Sequence, residues 1–539
     1  MALKSALKAK DTGQAELLIQ RLSRQKLSTS QQAEWQLSRA DLAVMQSDYQ
    51  SVIEQLNFRS SWKLDKRQWQ EYYELRAEAF LQLEQFFESS RALSELYKYT
   101  SLDQHPELSQ RIWQNLSQYS QFQITQYSAE PQEEVLDGWH QLAVYTRTLA
   151  STLPQLKNTL EQWLIENPSH PASLYTPVEI QDILNLEISK PVNTALILPL
   201  SGKFAKQAQL IRDGFVLAMM SDDLRDENAT LSIIDSNQLD INTLESTLIE
   251  RNVDFVVGPL LKENIESLQV KQSEFSSPVP MLALNIPDQI HLGTQTCYLA
   301  LSPEQEVAQA AKHLFSQGYQ FPLILAPQGR LGQRVVEAFE VEWKKYSDNA
   351  VAVNLFGNKR ELQKNINNVF GLQDSQQHIA QMESLLGIDL ESQPRSRRDV
   401  DAVYIVANSA ELTLIKPFIE VAVNPDTNPP KLFSNSRSNN GRKQYEDLSG
   451  VTYSDIPLLI QTDTALKAQM DNLWPKKSNA EKRLQALGMD AYLLMEHLPQ
   501  MKVIEGYQTQ GQTGTLSIDD QCVVQREVSW SEYGAKQPE

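Results

Sequence analysis

The chain is short of cysteine, of basic charge and of long apolar runs, and each shortage removes a class of protein. Only Cys297 and Cys522 occur in 539 residues, too few for a cysteine-ligated metal site or a disulfide scaffold. Two alternatives stay open for them: separate buried thiols, or one long-range disulfide suited to an oxidising compartment. Lys and Arg number 49 against 68 Asp and Glu, a net charge of −19. That balance argues against nucleic acid and against adsorption to an anionic membrane surface. No apolar run approaches the roughly 18 to 20 residues of a membrane span. The 7 histidines are scattered and HExxH, GxSxG and CxxC are absent. With no nucleophile and base, carboxylate pair or metal set legible, the chain reads as non-catalytic and without a cofactor. Met1-Ala2-Leu3 leads directly into polar helical sequence with no basic n-region, apolar h-region or cleavage site. The chain is then either cytosolic or one whose targeting segment has been removed.

What is present divides into two parts. From Leu3 to about Leu186 the sequence is rich in Leu, Ala, Gln and Glu, the composition of packed helices. Arg39-Ala40-Asp41 with Tyr49 corresponds to Arg76-Ala77-Glu78 with Phe86, an offset of 37 residues. That period is close to the roughly 34 of a tetratricopeptide (TPR) repeat, so residues 1–176 read as an all-α, TPR-like helical array. Ala40 and Ala77 let helices approach; Tyr49 and Phe86 fill the space between layers. A further unit runs from Gly138-Trp139 through Trp163 to Asn167-Pro168. Such an array is either a concave binding surface or a spacer. Pro168, Pro171 and Pro177 break helicity, and residues 177–191 read as a linker.

Residues 192–539 alternate strands with helices. Ala195 to Leu200 is apolar on both faces, as a central parallel strand requires. Ser201-Gly202 then turns the chain into a helix whose stripe is Phe204, Ala208, Ile211, Phe215 and Ala218. Such a turn aims backbone N–H groups at the carboxyl end of the sheet, where open α/β sheets bind ligands. Strands at Thr230–Asp235, Phe255–Gly258 and Pro280–Asn285 continue the series. A second series starts after Ser302, with strands at Pro322–Ala326, Ala350–Phe356 and Ala402–Ala407. Two doubly wound lobes explain this pattern better than one very large sheet. The polar stretch Gly357 to Asp399 holds Arg395, Arg397 and Arg398, a candidate contact for an anionic partner surface or simply a solvated segment.

Leu198-Pro199-Leu200-Ser201-Gly202-Lys203-Phe204, then Ile211-Arg212-Asp213-Gly214-Phe215, Val257-Gly258-Pro259-Leu260, Leu282-Ala283-Leu284-Asn285, Gly488-Met489-Asp490-Ala491-Tyr492 and Gly511-Gln512-Thr513-Gly514 stand in order over about 340 residues. In that order they resemble the periplasmic binding protein type I domain, and especially its LppC group. The resemblance implies an α/β two-lobed fold with three crossings, near Leu301, Ser454 and Asp519. Lobe one would be about 192–300 and 455–518; lobe two about 301–454 and 519–539. Cys297 and Cys522 then fall beside the first and third crossings. The group also implies an outer-membrane lipoprotein on the periplasmic side, held by a lipidated N-terminal cysteine upstream of this sequence. Its implied role is to bind and stimulate a class A penicillin-binding protein, a bifunctional peptidoglycan synthase, without catalysis of its own. The alternative is a periplasmic solute receptor closing on a small ligand. Its cleft would be lined by Ser201, Gly202, Lys203, Gly258, Pro259, Asn285, Asn408, Ser409 and Asn435. An unrecognised peptidoglycan hydrolase is a third class, without legible chemistry.

Overall fold

The computed structural model describes residues 2–187, 190–291, 295–357, 366, 370, 372–386, 400–423, 428–441, 446–461 and 464–535. Two compact units divide the chain: Met1–Ile188 with Pro499–Gln508, and Ser189–Leu498 with Thr509–Glu539.

The first unit is helical, and its repeat is set by helix starts. Helices Thr29–Met45 and Tyr49–Gln55 form one pair, Lys66–Gln82 and Phe86–Leu96 the next. Thr29 to Lys66 and Tyr49 to Phe86 are each a step of 37. The same step separates the caps. Ser28 and Gln31 satisfy one another's orphan N–H groups, and so do Asp65 and Gln68. Ala40 and Ala77 are fully buried. Further along, the Nε2 of His170 meets the carbonyl of Val135 at 2.9 Å, its Nδ1 accepts from the N–H of Ala172, and its ring stacks edgewise on Trp139 and Trp163. Burial lowers the His170 pKa, which favours the neutral ring this pattern needs.

The linker expected over 177–191 is corrected by the structure. Val178–Asn185 is a helix that buries Ile180 and Ile183. Gln110 donates to the Glu179 carboxylate, and Lys157 Nζ donates to the carbonyl of Leu186 at 3.0 Å. The prolines interrupt helicity without ending the unit, because an apolar pair at i, i+3 after Pro177 restarts it. A late segment belongs here too. Ile504 and Tyr507 are buried, and the half-buried Arg147 guanidinium donates to the carbonyls of Ser117, Tyr119 and Glu505 and pairs with the Glu505 carboxylate at 2.8 Å.

The described residues of the second unit form three sheets. Strands β1 (Asn193–Leu198), β2 (Thr230–Asp235), β3 (Phe255–Val257), β4 (Met281–Ala283) and β5 (Thr296–Tyr298) form a parallel sheet in the order β2-β1-β3-β4-β5. Strands β6 (Pro322–Pro327), β7 (Ala352–Phe356), β8 (Ala402–Ile405), β9 (Lys431–Ser434) and β10 (Thr452–Asp455) repeat that parallel pattern. After β11 (Thr509–Gln510), β12 (Thr515–Ile518) and β13 (Val524–Glu527), which make a small antiparallel sheet, β14 (Ser529–Glu532) pairs antiparallel with β10. The second order is therefore β14-β10-β9-β8-β6-β7.

The chain leaves the first sheet after β5, since helix Pro303–Ser316 buries Val307 and Ala310 against Ile324 of the second. It returns after β10 through helix Asn479–Val503, whose middle lies on helix Ala205–Met220. There the backbones touch. A Cβ on Gly214 would stand 1.9 Å from the carbonyl oxygen of Gln485, and one on Gly488 would stand 1.9 Å from that of Ile211. Both glycines sit inside the resembling motifs, and this contact is what they are for. Gly488→Val is expected to lower stability by about 3 kcal/mol through overpacking, read as a fall in the urea midpoint. An unchanged midpoint would show that the helices can part at no cost.

The turn after β1 departs from its expected stripe at one end. Ala208, Ile211 and Phe215 are fully buried, but Phe204 lies in a separate 3-10 turn, Gly202–Phe204, and is partly exposed.

Candidate functional site

The parallel strands of both sheets run 2-1-3-4-5 in their own numbering, so each sheet has a switch point between its first and third strands, at whose carboxyl ends ligands bind in such folds. Of the expected cleft residues near these ends, Ser201, Asn285, Asn408, Ser409 and Asn435 have polar groups bonded within the protein. The N–H of Leu200 donates to Asp235 Oδ1 at 3.0 Å, and Asn237 Nδ2 donates to the carbonyl of Ser201 at 2.6 Å. Burial opposes ionisation of Asp235, yet bonds from the Ser201 hydroxyl and from backbone N–H groups hold its carboxyl below the usual range. A side chain of the same lobe thus takes the N–H groups that a bound anion would use. Lys203 lies over the ring of Phe204. Gly258 has φ +102°, and a Cβ there would meet the carbonyl oxygen of Ile197 at 2.0 Å. Asn285 folds back, donating to the carbonyl of Leu260 and accepting from the N–H of Ile286.

The second lobe behaves alike. Asn408 caps helix Ser409–Ala422 in a reciprocal pair with Glu411. The hydroxyl of Ser409 accepts from Asn440 Nδ2 at 2.7 Å. Asn435 is buried, with its Oδ1 accepting from the N–H of Ala407 at 3.1 Å. Of the nine expected lining residues, Pro259 borders a cavity of about 290 Å³ on the face of the first sheet, beside Ile197, Leu239 and Leu268. Arg395, Arg397 and Arg398 lie outside the described residues.

What joins the lobes was not legible in the sequence. Arg483, at the start of helix Asn479–Val503, makes two bonds to Asp455 at the end of β10: Nε to Oδ1 at 2.8 Å and Nη2 to Oδ2 at 2.6 Å. The same Nη2 reaches the carbonyls of Ser436 and Asn439, in the segment after β9. Asn439 Nδ2 donates to Asp455 Oδ2, and Asn479 Nδ2 donates to the carbonyl of Asn439. Beside them Glu306 accepts from the N–H and hydroxyl of Ser436 and from the hydroxyl of Ser454. A guanidinium of the first lobe is thereby bonded to the strand ends of the second. Cys297 of β5 and Cys522, between β12 and β13, are joined, with Cα atoms 4.7 Å apart.

The resembling motifs around Asp490 also have a local purpose. Asp490, on the same helix, is fully buried and accepts from the N–H groups of Gln512 and Thr513 and from the Thr513 hydroxyl. It therefore organises the Gly511–Gly514 turn. Burial raises its pKa to about 6, against the lowering effect of these bonds and of Arg526. The free carboxyl sits near 3.9, so between these values the folded state holds more proton than the unfolded. The contribution is fully present below about pH 4 and is lost as pH rises through about 6. Relative to Asp490→Asn, the wild-type chain is expected to lose about 2 to 3 kcal/mol between pH 4 and pH 7, measured by urea unfolding of both proteins at each pH. Parallel curves would exclude the shift.

Among the described residues no group of three His, Cys, Asp or Glu could hold a metal ion, and no helix is long and apolar enough to cross a membrane.

Two sheets with this strand order define a periplasmic binding protein type I fold, and a TPR-like helical unit precedes it in the chain. The family model described as LppC putative lipoprotein matches residues 1–536, and the chain belongs to that family. It is similar to the penicillin-binding protein activator LpoA of Vibrio cholerae, with 64% identity over 536 residues covering 99% of this chain and 89% of the relative. The protein of the same name from Aliivibrio fischeri is 46% identical over 535 residues, covering 99% and 88%. Among solved structures, Haemophilus influenzae LpoA superposes with a TM-score of 0.77 at 23% identity, covering 98% of this chain and 91% of the other. The C-domain of that species' LpoA, described as a regulator of PBP1A, superposes with a TM-score of 0.51 at 24% identity, covering 63% and 97%.

Proposed function

We propose that this chain is a non-catalytic regulator of peptidoglycan synthesis that binds and stimulates a class A penicillin-binding protein. The observation that carries the reading is 64% identity, over nearly the whole chain, to a relative named as an activator of penicillin-binding proteins. The site geometry supports it. A solute receptor presents free donors and acceptors at its strand ends and lets its lobes close, whereas here the groups of Leu200, Ser201, Asn285 and Asn435 are bonded internally and Arg483 ties the lobes together. The family description as a lipoprotein supports a periplasmic chain anchored through a lipid at the outer membrane.

Reconstitution tests this. The full chain added to a purified class A synthase is expected to raise glycan polymerisation or crosslinking and to leave isolated muropeptides unaltered. Amino acids and small sugars are expected to give no concentration-dependent thermal stabilisation. Failure to bind or stimulate any class A synthase would remove the reading. Charge reversal at Arg395, Arg397 and Arg398 decides whether that segment takes part, since unchanged stimulation excludes it.

A further inference from the structure

An apolar hollow beside the resembling motifs lies in the first lobe, lined by residues other than those at the strand ends. It holds about 360 Å³ between helices Ala205–Met220, Thr464–Leu473 and Asn479–Val503. Its walls are Pro191, Leu217, Ala218, Leu466, Met489 and Leu493. The size suits one large apolar side chain or a pair of smaller ones. Its edge is polar: the Ser221 hydroxyl and the Gln512 amide border it.

One end is acidic. Lys190 bridges Asp222 at 3.0 Å and Glu496 at 3.1 Å, and the Tyr492 hydroxyl donates to Asp222 at 2.8 Å. Lys190, Pro191, Tyr492 and Met495 continue into a neighbouring depression that Arg225 and Asp226 border. The loop between them carries Asp223, Asp226 and Glu227 exposed to solvent, with Leu224 83% and Met220 65% exposed at its base. The hollow and its neighbouring depression are lined by the acids Asp222, Asp226, Asp490 and Glu496 and the cations Lys190 and Arg225, and the adjoining loop adds exposed Asp223 and Glu227. An apolar socket with an acidic rim and two exposed apolar side chains has the anatomy of a protein hot spot: burial gives affinity, and the charges select the partner and speed its arrival.

We infer that this hollow docks a basic segment of a protein partner, one that inserts an apolar anchor residue and sets lysines or arginines against the Asp222–Glu227 loop. The inference rests on the reading of the chain as a protein-binding regulator and names the surface it would use. Two measurements on the full chain keep the two apart. The first is fluorescence anisotropy at low salt with a short synthetic peptide carrying a central Leu-Phe pair flanked by lysines. It is expected to bind about tenfold or more tightly than the same peptide with an Ala-Ala centre or with glutamates for lysines. Ala218→Trp, which fills the hollow, and the surface pair Asp223→Lys with Glu227→Lys, which leaves the fold untouched, are each expected to weaken it about tenfold. Equal binding of the three peptides, or wild-type affinity in both variants, overturns the inference. The second is the Kd of the wild-type chain for a class A synthase. Its absence sinks the functional reading while the peptide still decides the docking site. A wild-type Kd retained by both variants overturns the docking site and leaves the functional reading standing.

Discussion

Arg483→Met is expected to destabilise the α/β unit by about 3 to 5 kcal/mol, the cost of stranding a buried charge. Asp455 is completely buried, and Arg483 supplies two of the four bonds its carboxylate accepts; Ile456 N–H and Asn439 Nδ2 supply the others. Burial alone would pull the guanidinium pKa down, but the Asp455 carboxylate and Glu306 hold it above its ordinary value, so the arginine keeps its charge. Removing the arginine also strips the carbonyls of Ser436 and Asn439 of a donor. Asp455→Leu combined with Arg483→Met is expected to recover most of the loss, because an apolar pair leaves no orphan charge. Urea unfolding of the two single variants and the double gives the coupling directly. A loss below about 1 kcal/mol in Arg483→Met would mean that the clamp acts as an exposed ion pair does.

Replacing Cys297 and Cys522 by serine is expected to cost up to about 5 kcal/mol, the chain-entropy value for a closure of this length. The bond spans 225 residues of sequence, and both ends lie in the α/β unit. The loss is expected there alone, leaving the transition of the helical unit in place. Calorimetry of the two forms, with thiol titration of the unfolded wild-type chain before and after reductant, checks both claims. Two titratable thiols without reductant, or identical transitions, would show that no closure operates.

The sequence made the frame readable because the frame is periodic. A step of 37 residues located two helix pairs, and an apolar run followed by Ser201-Gly202 located the first βαβ unit. Short and marginal elements escaped. β5 has three residues, and the edge strand β14 is the polar Ser-Trp-Ser-Glu. The helix at Val178–Asn185 hid behind three prolines. The site was harder still. Asn285, Asn408 and Asn435 follow the ends of β4, β8 and β9, but a sequence shows where a polar group stands and not which backbone atom already satisfies it. Asp455 and Arg483 are 28 positions apart on different elements, and no spacing rule connects them. The glycines of the Gly214 and Gly488 motifs were legible as motifs; their meaning as a backbone contact needed both helices at once.

The segment Pro499–Gln508 belongs to the helical unit although the chain reaches it only after building nearly all of the α/β unit. On a ribosome the helical unit therefore begins first and is completed late. Until Glu505 emerges, Arg147 lacks the carboxylate and carbonyl that close it off. A chain cut anywhere between residues 189 and 498 forfeits that closure, so the two units share one order of synthesis even though each keeps its own core.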